Sequence, residues 1–286
     1  MPGYSALETK KNELIRKGLQ GSVFIAAGSA PAVVASTLFD AATGDLSTLP
    51  LGYQDLGWTT DTGAVFARKV TSTDINGWGT NDPVRSDITG DNTTMAVVAE
   101  ETKLLTIGLG ANVDTSTLVP VGVNGVVAVP YPSSPVSRFY RVLAVAVDSG
   151  AGGEIILARF FPRAQVSGYD SQSYANGKDP IQTGLTFTAY QDSVLGYAQE
   201  QLYGGPGWLS LLSDMGMSRI VICTVALTTA LVATTGLFSA ADVGKVVSGV
   251  GIPTGTTIVT FTDTTHVVMS AAGTIAGSLI NVAVAA

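Results

Sequence analysis

"SRFYRVLAVAVDSGAGGEIILARFFPRAQV", residues 137–166, decides the fold. Two apolar runs flank the glycine-rich "GAGG". Glycine supplies the positive-φ positions of a tight turn, so the stretch reads as a β-hairpin. Both faces of the two runs are largely apolar, which places them deep in a sheet covered on both sides.

Working outward, "SVFIAA" (22–27), "AVFARKVTSTDI" (64–75), Thr93 to Glu100 and "GVVAVPY" (125–131) read as strands. "QTGLTFTAYQD" (182–192) alternates plainly: Leu185, Phe187 and Ala189 point one way, Thr186, Thr188 and Tyr190 the other. "YGGPGW" (203–208) reads as a turn. Residues 5–18 read as a short helix, with Ser5 and Glu8 forming an S-x-x-E capping box, Leu7, Leu14 and Ile15 near one face, and Lys10, Lys11, Arg16 and Lys17 on the solvated face. "EETKLLTIGLG" allows a second short helix. A long irregular stretch, about residues 40–62, separates the early strands and is of the length that serves function or stays disordered.

From about residue 219 the texture changes. Asp242, Lys245 and Asp263 are the only charges after Arg219, and Gly and Pro punctuate short apolar runs. The chain is therefore expected to be mainly β, with one unit over 1–218 and a small all-β unit over 219–286, the boundary falling near 214–222. "IVICTVALTTALVATTGLF" (220–238) is uncharged and long enough to span a bilayer. Strands split at Thr228–Thr229 explain it equally well. The stretch from Lys10 to Ala35 mimics a signal peptide, but Glu8 and Glu13 sit in the would-be basic region and Gly28 and Pro31 break the apolar run.

Hydrophobic residues make up 46% of the 286 residues and charged residues 13%, about half the usual charged share. So little charge protects a surface weakly and points to a chain that hides surface against copies of itself. The net charge of −7 opposes a grip on nucleic acid, which needs Lys and Arg against the phosphates. Cys223 is the only cysteine, which rules out an intrachain disulfide and fits a small buried apolar residue.

Catalytic patterns are missing. His266 is the only histidine and sits in what reads as a turn at a strand start. "GLGANV" (108–113) lacks the third glycine of a dinucleotide fingerprint, and "NGKDP" and "VGKVV" lack the Ser or Thr of a phosphate loop. The crowded stretch is "WGTNDPVRSDITGDNTTMAVVAEETK" (78–103). Asp87 and Asp91 could offer oxygen ligands, but their spacing does not match a calcium loop. Glu100 and Glu101, if on a strand, point to opposite faces and cannot share a substrate. No enzyme, cofactor or metal site is expected.

Several stretches together carry a resemblance: "KGLQGSVFIA", "LGYQDLGWTTDTGAVFARKV", "WGTNDPVRSDITGDNTTMAVVAEET", "RFFPRAQVSGYDSQSY" and "LTFTAYQDSVLGYAQEQLYGGPGW". In matching order over roughly 15–210, they resemble the major tail protein of long-tailed, non-contractile bacteriophages, especially those of actinobacteria. "LFSAADVGKVVSGVGIPTGTTI" looks like a small β module appended to phage structural proteins. The resemblance implies a β-sandwich with a short flanking helix that joins neighbouring sheets into a barrel. It implies hexameric rings stacked into a hollow tail tube, the conduit for DNA ejection. The implied partners are copies of the chain, a tape-measure protein inside the tube, and tail terminator and distal tail proteins. DNA would pass without specific binding, and no part would insert in a membrane. The implied location is the virion tail, after assembly from the host cytoplasm.

On this reading the crowded stretch serves geometry. "WGTNDPVRSDITGD" is expected as a loop at subunit contacts, with Trp78, Asp82, Arg85, Asp87 and Asp91 as interface candidates and Arg85 pairing an acidic partner across the interface. Ten acidic residues lie from Asp40 to Glu101, opposed by Arg68, Lys69 and Arg85. Glu100 and Glu101 are candidates for an acidic lumen or interface, because an acidic wall keeps DNA from sticking. The 219–286 unit is expected outside the tube. The rival readings are another virion structural or decoration protein and a surface adhesin.

Overall fold

The structure is a computed structural model that describes residues 8–40, 43–150, 152–177, 180–212, 214–234 and 237–285. Its first part runs β1 (Gln20–Ala27), α1 (Ala35–Leu38), β2 (Gln54–Asp55), β3 (Val65–Asn76), β4 (Pro83–Ala99), α2 (Leu104–Ala111), β5 (Tyr140–Gly150), β6 (Gly153–Tyr169), β7 (Thr183–Ala189) and β8 (Glu200–Gly204). All pairings are antiparallel, in the order β2-β1-β5-β6-β7-β4-β3, with β8 beside β6.

The hairpin read from residues 137–166 is the centre of this sheet. β5 and β6 pair from Val142↔Phe161 to Gly150↔Gly153. Gly153 sits at φ 117°, a backbone that a side chain would strain. As the apolar pattern requires, both faces are buried. Val142 and Ala144 join one core with Val23, Ile25, Met95, Val97, Phe161, Leu185 and Phe187. Leu143 and Val145 join a second core with Ile156, Ala158, Phe160, Leu202, Val33 and Leu38.

β6 serves both cores by changing face at Pro162. Residues 156–160 lie between β5 and β8. At Pro162 the register slips, Val142↔Phe161 giving way to Tyr140↔Ala164, so β6 holds one extra residue there. Proline cannot donate to a ladder and is tolerated at such a bulge. Beyond it Ala164 faces the same core as Phe161, and β6 pairs with β7 from Ala164↔Ala189. Each fully buried phenylalanine here contributes about 1.5–3 kcal/mol.

Several expectations are corrected. Ser5 and Leu7 lie outside the described residues, and over residues 8–18 no α-helix forms. Only a 3-10 turn spans Asn12–Leu14, with no buried residue. A short helix without an apolar face to bury is marginal in water. Arg16 is not on a solvated face: its side chain lies 3.4 Å from Asp148, and the Lys17 N–H donates to Asp148. "GVVAVPY" is not a strand; its one ladder element is an isolated bridge, Val121↔Val126. The strand expected from Thr93 begins ten residues earlier, at Pro83.

The second sheet holds β9 (Ser218–Val225), β10 (Ala230–Ala233), β11 (Val247–Gly249), β12 (Ile258–Phe261), β13 (His266–Met269) and β14 (Gly277–Ala285), ordered β11-β14-β9-β10-β13-β12. Its two ends meet. Val246 bridges Thr257, the Val247 N–H donates to the Thr256 carbonyl at 2.8 Å, and the Ile258 N–H donates to the Lys245 carbonyl at 3.0 Å. The sheet is thus a small closed barrel filled by Val221, Cys223, Leu231, Val247, Val267, Val282 and neighbours. Residues 220–238 supply two strands of it, and among the described residues no helix is long and apolar enough to cross a membrane. Cys223 is fully buried, and that burial pushes its thiol up to about 12.

One carboxylate of this unit is buried, on the turn at Ala240–Asp242. Asp242 is 1% exposed. It accepts the Ser239 N–H at 2.9 Å and Arg219 Nη2 at 2.6 Å, with Lys245 Nζ at 3.3 Å. Burial alone would raise its pKa; the Ser239 N–H and the two cations outweigh burial and hold it below the ordinary carboxylate value. Such a group stabilises the fold fully above its unfolded value, and the contribution is lost as pH falls through the folded value. Asp242→Asn should therefore cost about 3 kcal/mol at neutral pH, read by urea unfolding of the full chain. The gap between variant and parent should close in acid. A gap that stays open there would assign the effect to packing instead.

Candidate assembly surface

β4 pairs with β7 only over Thr94–Ala99. The rest of β4 and the facing part of β3 have no other strand beside them. From Lys69↔Asn92 to Asn76↔Pro83 the two run as a free two-stranded ribbon. Its β4 side, ten residues long, projects about 30 Å at the usual rise of a strand. So the stretch read as a loop is a strand: "PVRSDITGD" belongs to β4, and only residues 77–82 turn. Trp78 stands at the tip, 107% exposed. Gly79 beside it takes φ 84°.

The root of the ribbon is firmly held. Phe66 packs edge-on to Phe161, ring centroids 6.1 Å apart, and Arg159 lies 4.4 Å over the Phe66 ring. Beyond the root, alternation gives two faces. The face continuous with the core carries Arg68, Val70, Ser72 and Asp74 opposite Asp91, Ile88 and Ser86. The other carries Thr71, Thr73 and Ile75 with Gly90, Asp87 and Arg85. Val70, Ile75, Val84 and Ile88 are all exposed. A two-stranded ribbon on its own is barely stable in water, so one with exposed apolar side chains on both faces is built to be covered.

The charged residues brace the ribbon. Arg68 donates from Nε and Nη2 to the two oxygens of Asp91, at 2.8 and 2.6 Å. That fork holds the Asp91 carboxyl below its ordinary value and raises the guanidinium. Arg85 Nε donates to Asp87 at 2.8 Å, within its own strand. The acidic partner expected across an interface is thus found on the same face, two residues away. Asp87 and Asp91 lie on opposite faces, so they cannot ligate one ion together. Among the described residues no group of three or more His, Cys, Asp or Glu is placed to hold a metal. Asp82 closes the tip turn, its N–H donating to Thr80 Oγ1 at 3.1 Å.

Glu100 and Glu101 lie past the end of β4, so strand alternation does not govern them. Glu100 accepts from Gln182 Nε2 at 3.2 Å. Glu101 accepts the Trp58 N–H at 2.7 Å and meets Lys103 Nζ at 3.0 Å, contacts that hold its carboxyl below the usual value. Both tie the 57–60 loop and the start of α2 to the body.

Sequence reading passed over one surface. Beside α2 lies a groove of about 910 Å³, edged by Tyr131, Tyr169 and Tyr174. One wall comes from residues 118–137, a stretch with no charged residue. That absence of charge was the available signal.

Arg68→Ala should loosen the ribbon without altering the main unfolding transition. Amide exchange of the dispersed chain should quicken across Lys69–Asn76 and stay constant in β5 and β6. Unchanged exchange would show that backbone pairing alone holds the ribbon.

Comparison with protein families matches residues 8–200 to the family described as phage tail tube protein. A search of curated proteins finds no match. A β-rich body, two sheets and a projecting ribbon suit a part whose work is assembly, and with two thirds of its length matched the chain belongs to the phage tail tube protein family.

Proposed function

We infer that the chain polymerises as hexameric rings stacked into the hollow tail tube through which DNA leaves the particle. The observation that carries this reading is the ribbon of residues 69–92, exposed along both faces and braced by Arg68–Asp91. A monomer gains nothing by holding such an element in solvent; a neighbouring subunit or ring buries it. Trp78, Asp82, Arg85, Asp87 and Asp91 are the proposed contact residues. Tape-measure, terminator and distal tail proteins would meet the same tube, in a virion assembled in the host cytoplasm. The acidic balance of residues 40–101 supports a wall that repels passing DNA. Glu100 and Glu101 add to it only through whatever exposure their internal bonds leave.

Electron microscopy of the purified chain at high concentration, and of intact particles, tests this reading. Hollow tubes with a regular axial repeat are expected. Particles whose tube lacks this chain would overturn it. Arg85→Glu breaks the pair with Asp87 and reverses the charge beside it, so it should hinder tube formation while the dispersed chain keeps its unfolding transition. Normal tubes from that variant would remove Arg85 from the contact.

Residues 1–218 are the proposed tube-building unit, and residues 219–286 an accessory outside the tube. The self-closed barrel supports this, because it needs no neighbour to satisfy its strand edges. Deleting 219–286 should leave tubes of unchanged bore that lack outer knobs. Loss of assembly would contradict the assignment.

A further inference from the structure

Residues 126–131, "VVAVPY", have the sequence of a strand and no strand partner. Val127, Val129 and Tyr131 alternate with Val126, Ala128 and Pro130. Among the described residues the backbone hydrogen bonds within 119–131 are all local: Val121 and Val126 exchange two, and Gly125 donates to Gly122. Val126 therefore turns its N–H toward its own short hairpin. Successive amides of an extended chain point to opposite sides, so Ala128 points the same way as Val126, and Pro130 has no N–H to offer. The amides of Val127, Val129 and Tyr131 point outward, and no backbone acceptor meets them. Ala128 likewise meets no backbone acceptor, so among the described residues Val126 alone of these amides has a backbone partner, and the segment has strand chemistry without a ladder along its outward side.

The chain also carries a matching receptor. β3 ends the sheet order, and among the described residues β4 is its only partner, so its outer edge is open over twelve residues without a proline. The other end strand, β2, has two residues. Open edges of this length are templates for an added strand. Val126 and, in the stretch leading to it, Val119, Val121 and Val123 are exposed, Val123 at 103%. Residues 118–137 hold no charge, so covering them desolvates none.

We propose that residues 126–131 of one copy add as a strand to the free outer edge of β3 in a neighbouring copy. The occupant is a second copy because donor and receptor lie on different parts of the same chain. A contact of that kind repeats head to tail and closes into a ring when the rotation allows. The inference rests on the tube reading and names one of its subunit contacts.

Hydrogen exchange compares the dispersed chain with tubes, assembled in solution or taken from particles. The amides of Val127, Val129 and Tyr131 should exchange at least about tenfold more slowly in tubes, together with amides of β3. Val127→Pro/Val129→Pro removes two outward amides and spares the Val121–Val126 pair; it should slow tube formation at least about tenfold. Ala128→Pro removes an inward amide and should assemble as the parent does. Tubes in which these amides stay unprotected overturn the proposal and leave the tube reading intact. Particles whose tube lacks the chain overturn both.

Discussion

A backbone N–H or C=O at a strand edge must find a partner, in the chain, in water or in another molecule. The two sheets meet this constraint in opposite ways. The C-terminal barrel meets it internally, because β11 and β12 come together at Val246 and Thr257 and leave no long edge. The larger sheet does not close. It ends on β3, whose outer side has no neighbouring strand along its whole length among the described residues. One part of the molecule is therefore complete as a monomer and the other is complete only in company.

What keeps the larger sheet rigid enough to offer an open edge is the shared strand β6. It carries Ile156, Ala158 and Phe160 into one core and Phe161 and Ala164 into the other. The change of face depends on the extra residue at Pro162. Without that bulge Ala164 would face the wrong side and β7 would be fed in the wrong register. β7 in turn holds β4, and β4 holds β3. The stiffness of the ribbon root, with Phe66 against Phe161, is thus inherited from the hairpin at the centre of the sheet.

Legibility followed burial. The 137–166 hairpin and the alternation of Leu185, Phe187 and Ala189 were readable because their partners lie within the chain, and packing there obeys the two-residue period. Residues 64–75 were read as a strand and form β3, but the β4 half of the ribbon was misread because neither of its faces is buried, so no apolar face could show the period. Thr71, Thr73 and Ile75 stand opposite Gly90, Asp87 and Arg85, which reads as loop chemistry. "GVVAVPY" failed in the reverse sense, with strand chemistry and no ladder. Over residues 8–18 the expected helix failed because no described apolar residue there is buried: Leu14 is half-buried and Ile15 is 74% exposed. Of the candidate residues, reading singled out the crowded segment as a loop where the structure has a strand, and it missed that Arg68, not Arg85, makes the two-pronged brace.

These two misreadings have one physical origin. Local sequence encodes what a segment becomes once covered, and a single chain displays what it is before that. The ribbon holds strand geometry because β3 and β4 cover each other's inner edges and Arg68 locks Asp91, although its faces stay wet. The 126–131 segment has the opposite deficit: its side chains favour a strand, but beyond the Val121–Val126 bridge no ladder is supplied to it among the described residues. The two differ in what a neighbour must desolvate: 126–131 holds no charge, whereas on the ribbon Asp91 and Asp87 are already paired with Arg68 and Arg85, which lessens the cost of covering them. A chain with 13% charged residues is poorly suited to remain alone and well suited to close its edges on copies of itself.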